Sequence, residues 1–65
     1  MRHLGKGLYG ETYKGQKIEV EDVGSGWWTF YLPTTSNVGP YEPYPSKSGA
    51  REAARRLIDR IGVEA

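Results

Sequence analysis

The chain reads as an α+β domain: a three-stranded antiparallel β-meander with one C-terminal α-helix packed on one face. Three observations predict it. Ala50, Ala53, Ala54, Leu57, Ile58 and Ile61 recur at i, i+3, i+4, i+7, i+8 and i+11, an apolar stripe along about four helical turns. Residues 17–22 alternate, with Ile18 and Val20 on one side and Lys17, Glu19 and Glu21 on the other, as in a half-buried strand. Residues 26–32 hold four of the chain's eight aromatic residues between Gly-Ser-Gly and Pro33, the composition of a central strand.

Taken in order, residues 1–10 form a glycine-rich arm. Gly5, Gly7, Gly10 and Gly15 make the first fifteen residues costly to order, so the start is expected to be mobile, with Leu8, Tyr9 and Tyr13 able to anchor its end on the sheet. The meander is expected over 12–45. Its first strand is the alternating segment, and Gly24-Ser25-Gly26 supplies a permissive reversal into the aromatic strand. There Trp28, Phe30 and Leu32 share one face and Trp27, Thr29 and Tyr31 the other. Residues 33–40 are a polar loop. Residues 41–44 make a short third strand at an edge, because Pro40, Pro43 and Pro45 cannot donate to a ladder. The helix is expected over 46–62, with Ser46 or Ser48 as N-cap and Gly62 closing it. The predicted core is Ile18, Val20, Trp28, Phe30 and Leu32 against the six helix-stripe residues.

Sixty-five residues make one domain, 1–65, and a chain of this size buries only about 60% of its unfolded surface. With no cysteine there is no disulfide framework, and a single histidine nearly excludes a zinc site; no cofactor is expected. No apolar run reaches the roughly 20 residues of a membrane span, and the N-terminus lacks a signal-peptide core, so a cytoplasmic protein is expected. The net charge of +1 provides no general attraction to nucleic acid, although residues 47–61 hold five Lys/Arg against two acids. No nucleophile–base pair can be assembled: His3 lies in the arm, and nothing places Asp22 and Asp59 together. The chain is not expected to be an enzyme.

Residues 4–15, Leu-Gly-Lys-Gly-Leu-Tyr-Gly-Glu-Thr-Tyr-Lys-Gly, resemble the glycine-rich loop of protein kinases. That resemblance implies a phosphate-cradling loop, but the strand that follows carries Glu19, Glu21 and Asp22 where a kinase has its phosphate-binding lysine. Residues 44–59, Tyr-Pro-Ser-Lys-Ser-Gly-Ala-Arg-Glu-Ala-Ala-Arg-Arg-Leu-Ile-Asp, after a strand ending near Gly-Trp-Trp, resemble small bacterial and phage proteins. The outline is similar to HicB-type antitoxins and to the arm-type DNA-binding domains of tyrosine integrases. Those likenesses imply a sheet-plus-helix fold and transfer no functional residue.

The candidate site is the second aromatic face. Trp27, Thr29 and Tyr31 are more aromatic area than a one-sided core needs, and Lys17, Glu19 and Glu21 flank them as a polar rim, the composition of a protein interface. The competing expectation is that the arm or the proline-rich strand covers Trp27. On this reading the chain is a non-catalytic binding module, of phage or mobile-element inhibitor type, that contacts a larger protein or a second copy of itself. The alternative is a DNA-binding accessory using Arg51, Arg55, Arg56 and Arg60 on the helix, although the helix offers internal ion pairs, Glu52–Arg56 and Arg55–Asp59, that would occupy part of that face.

Overall fold

A computed structural model describes residues 1–61. It is an α+β fold with an antiparallel sheet and one C-terminal helix, and the sheet has four strands rather than three. The strands are β1 (Arg2–Gly5), β2 (Leu8–Tyr13), β3 (Gln16–Gly24) and β4 (Trp27–Tyr31), paired in sequence order, and the helix α1 spans Lys47–Ile61. No described helix is long and apolar enough to cross a membrane.

The extra strands come from the glycine-rich segment. Lys14 and Gly15 both have positive φ (50° and 79°) between the paired residues Tyr13 and Gln16. Two consecutive left-handed residues make the tight turn whose twist matches antiparallel strands, so glycine here forms a hairpin instead of loosening the chain. Ser25 and Gly26 (57° and 82°) do the same between β3 and β4. Gly10, in the middle of β2, is buried under Leu4: a β-carbon there would lie 2.7 Å from the Leu4 Cδ1. The arm is therefore two strands, with β1 as the sheet edge.

The third strand expected at 41–44 does not form. That segment is a strap along the outer edge of β4. It exchanges two backbone bonds between Tyr44 and Trp28, donates from Tyr41 N–H to the Phe30 carbonyl (3.2 Å), and joins the sheet at one isolated bridge. Pro43 has no N–H and Pro40 precedes Tyr41, which keeps the pairing from becoming a ladder. Thr29 adds a side-chain tie, its hydroxyl donating to the Tyr41 carbonyl.

The helix starts where the sequence places it. Ser46 Oγ accepts from the Gly49 N–H at 3.0 Å, an N-cap bond. The expected closure at Gly62 lies outside the described residues. Ala50, Ala54 and Ile58 are buried against Ile18, Val20, Phe30 and Leu32, and the small alanines let the helix approach β3 and β4. Trp28, Ala53 and Leu57 are partly buried at the margin of this core. Ile61 is the exception among the expected core residues: at 40% exposed, it stands beyond the packed stripe. Four tyrosines the sequence did not place inside, Tyr9, Tyr13, Tyr41 and Tyr44, pack around the core instead.

Candidate functional site

The registers Glu19↔Tyr31, Glu21↔Thr29 and Val20↔Phe30 sort the side chains of β3 and β4 into two faces. Val20 and Phe30 lie under the helix. Lys17, Glu19, Glu21, Thr29 and Tyr31 alternate with them on the opposite face, as does Trp27. Among the described residues no helix or second sheet covers that face.

The six residues differ in what they offer there. Trp27 is 45% exposed at the β3–β4 turn, next to Val23, which is 50% exposed in a bulge between Asp22 and Gly24. Pro43 of the strap borders the same shallow apolar surface, so the strap flanks Trp27 without burying it. Tyr31 is half-buried and its phenol donates to Glu21 Oε1 at 2.8 Å. That bond, then burial, raises the Tyr31 pKa above the usual tyrosine value, so it remains a neutral donor. Thr29 is only 4% exposed and is spent on the strap, so it offers no polar rim. Lys17 is exposed, and Glu19 and Glu21 are half-buried beside Tyr31.

Trp28, one residue on, turns to the helix side. Its ring lies 6.0 Å from Tyr9, and the Lys47 ammonium from the first helical turn sits 3.9 Å from the Tyr9 centroid and 5.9 Å from that of Trp28. His3 stacks on Tyr9 at 4.8 Å. This cluster fastens the start of the helix to the end of the sheet.

The four helix arginines do not form one basic face. Arg51 and Arg55 both donate Nε–H to Glu11 on β2, each at 2.8 Å. Burial alone would raise the Glu11 pKa, but the bonds and charges of Arg55 and Arg51 outweigh it and hold it below the usual glutamate value. Arg55 also lies 4.8 Å from the Tyr13 ring. The intrahelical pairs expected for Glu52–Arg56 and Arg55–Asp59 do not form. β2 supplies a better acceptor for Arg55, and Asp59 instead accepts from Lys14 (2.6 Å) and Tyr13 (3.1 Å). The Lys14 bond holds the Asp59 carboxyl below its ordinary value. Sequence reasoning missed Glu11 because it placed no strand over residues 8–13, which fall between the glycine-rich arm of 1–10 and the meander expected from 12. The alternation of Tyr9, Glu11 and Tyr13 was the available signal.

Arg56 and Arg60 remain exposed, without an ion pair among the described residues. They line a groove of about 410 Å³ between α1 and the strap, with Phe30 and Leu57 at its apolar base and Tyr41, Glu42 and Tyr44 on the strap side. The i, i+3 spacing of Tyr41 and Tyr44 was visible in the sequence but was read as a strand.

No three His, Asp or Glu side chains among the described residues converge as metal ligands. Comparison with known proteins returns no matching family model, no matching curated protein and no matching solved structure.

Proposed function

We propose that the chain is a non-catalytic binding module that contacts a larger protein through the uncovered sheet face, with Trp27 as its anchor. The observation that carries this reading is the exposure of Trp27 beside Val23 on a face that, among the described residues, no helix or second sheet covers. A large apolar ring left in water at a fixed hairpin contributes contact area at little entropic cost, and such a ring at an interface centre is worth about 2 kcal/mol or more. Tyr31, fixed by Glu21, and the exposed Lys17 give the rim its polarity and orient the partner. Action by occupying a partner's surface, as an inhibitor of phage or mobile-element type would, is the form this reading takes.

Use of the helix as a DNA contact is the weaker reading. Glu11 engages both Arg51 and Arg55 and offsets one of their two charges, which leaves Arg56 and Arg60 as the arginines free of an ion pair among the described residues, too few for a steep salt dependence.

Capture from cell lysate with wild type and Trp27→Ala in parallel, with light scattering for mass, tests the proposal. A partner retained by wild type and lost by Trp27→Ala is expected. A partner held equally by both removes Trp27 from the site. A dimer that Trp27→Ala dissolves makes the face a contact between copies.

A further inference from the structure

We infer that the groove between α1 and the 41–44 strap is a second, independent binding site, for an extended acidic peptide segment of the form acid–aromatic–acid. It does not rest on the Trp27 reading, because the two surfaces share no residue.

The first argument is charge. Arg56 and Arg60 are one helical turn apart on the side of α1 that faces the strap, and both line the groove. On the other side of the same helix, Arg51 and Arg55 are closed by Glu11. The sheet thus supplies a carboxylate for one pair of arginines, while the other pair makes no ion pair among the described residues and shares its groove with one carboxylate, Glu42 of the strap. Guanidinium groups above an apolar floor bind carboxylates more strongly than they would in open water, because the floor excludes solvent from one side.

The second argument is spacing. Residues four apart on a helix are displaced by about 6 Å along its axis. Alternate side chains of an extended strand are displaced by about 6.6 Å and point the same way. An extended peptide lying along α1 therefore matches one carboxylate to Arg56 and the next-but-one to Arg60. The residue between them points to the opposite wall, where Tyr41 and Tyr44 lie. Tyr41 is stacked on Phe30 at 4.4 Å and 9°, and Tyr44 is tilted to Phe30 at 6.2 Å, so that wall is a preformed aromatic surface. An aromatic side chain fits it by area and by ring geometry.

The third argument selects a peptide over a nucleic acid. Glu52 lies one turn before Arg56, and Glu42 stands across the groove on the strap. These acids bound the basic patch on two sides. Both acids oppose any anion placed beside them, so a ligand whose two charges sit only at Arg56 and Arg60 is favoured over a phosphodiester strand, whose charge runs on past both acids.

The test is titration of the ¹⁵N-labelled full chain with an N-acetylated, C-amidated peptide, Gly-Asp-Phe-Asp-Gly, followed by amide shifts. Saturable shifts at Tyr41, Tyr44 and Leu57 are expected, weakening with added salt. Arg56→Gln with Arg60→Gln should weaken binding about tenfold without moving the melting temperature, since neither arginine holds the fold together. The peptide Gly-Asn-Phe-Asn-Gly should bind about tenfold more weakly to wild type. Equal affinity for the two peptides, shifts confined to other residues, or an affinity unaffected by the double variant would each overturn the inference. So would tighter binding of an oligothymidylate than of the acidic peptide, with the same arginine dependence, which would make the groove a nucleic-acid site.

Discussion

Trp27 and Trp28 are chain neighbours with the same side chain and opposite fates. Trp28 turns under the helix, touches the Tyr9 and Lys47 cluster, and borders the core. Trp27 turns to the open face and stays 45% exposed. The difference follows from the strand period of two and from a helix that covers one side only. Composition alone assigns both rings to a core. Only the pleat and the single covering layer separate a ring that holds the fold together from one free to meet a partner.

The largest expected effect that sharpens this contrast is Trp28→Ala. It removes the ring that joins β4 to the Tyr9–Lys47 cluster and should cost about 3 kcal/mol in chemical denaturation, a large share of the stability of so small a domain. A loss no greater than that of Trp27→Ala would erase the distinction between the faces.

Glu11→Ala comes next. It leaves Arg51 and Arg55 without their shared acceptor and should cost about 1–2 kcal/mol, because Glu11 is well covered while the arginines are partly in water. The same group sets a pH dependence. Its folded pKa lies below the ordinary 4.5, so its contribution is fully present above that value and is lost as pH falls through the lowered one. Melting temperatures of wild type should therefore hold steady from neutrality down to about pH 5 and fall below pH 4.5, more steeply than those of Glu11→Gln. Equal acid slopes would mean that Glu11 does not tie helix to sheet.

Deletion of residues 1–5 removes the edge strand, with its His3–Tyr9 stack and the Leu4 cover of Gly10. The remaining three-stranded sheet should still fold, about 1 kcal/mol less stable, with amide shifts concentrated in β2. A collapsed spectrum would make β1 part of the essential core. Trp27→Ala should have the smallest effect on stability, under about 1 kcal/mol in the same denaturation.

The helix, its cap at Ser46, the β3–β4 hairpin and the two faces of β4 were legible in the sequence because each rests on local periodicity or a local bond. The number of strands was not. Glycines that form turns and glycines that loosen a chain have the same composition, and only the two-residue spacing between Tyr13 and Gln16 distinguishes the hairpin. The strap differs from the expected edge strand because its prolines permit only intermittent bonds to β4 rather than a ladder. At the candidate site, Trp27 and Tyr31 could be nominated from alternation. The burial of Thr29 could not, because it depends on a strap twelve residues away. Nor could the division of the arginines, since Glu11 and Arg55 are 44 residues apart in the chain and meet only when β2 is in the sheet.

The central claim is that Trp27 is held out to bind while Trp28 is held in to fold. Calorimetric titration of the captured partner with wild type and Trp27→Ala, both at a temperature where each is fully folded, tests it most directly. The predicted result is an affinity about 30-fold weaker for Trp27→Ala, the equivalent of about 2 kcal/mol, with stability nearly unchanged. Equal affinities would contradict it.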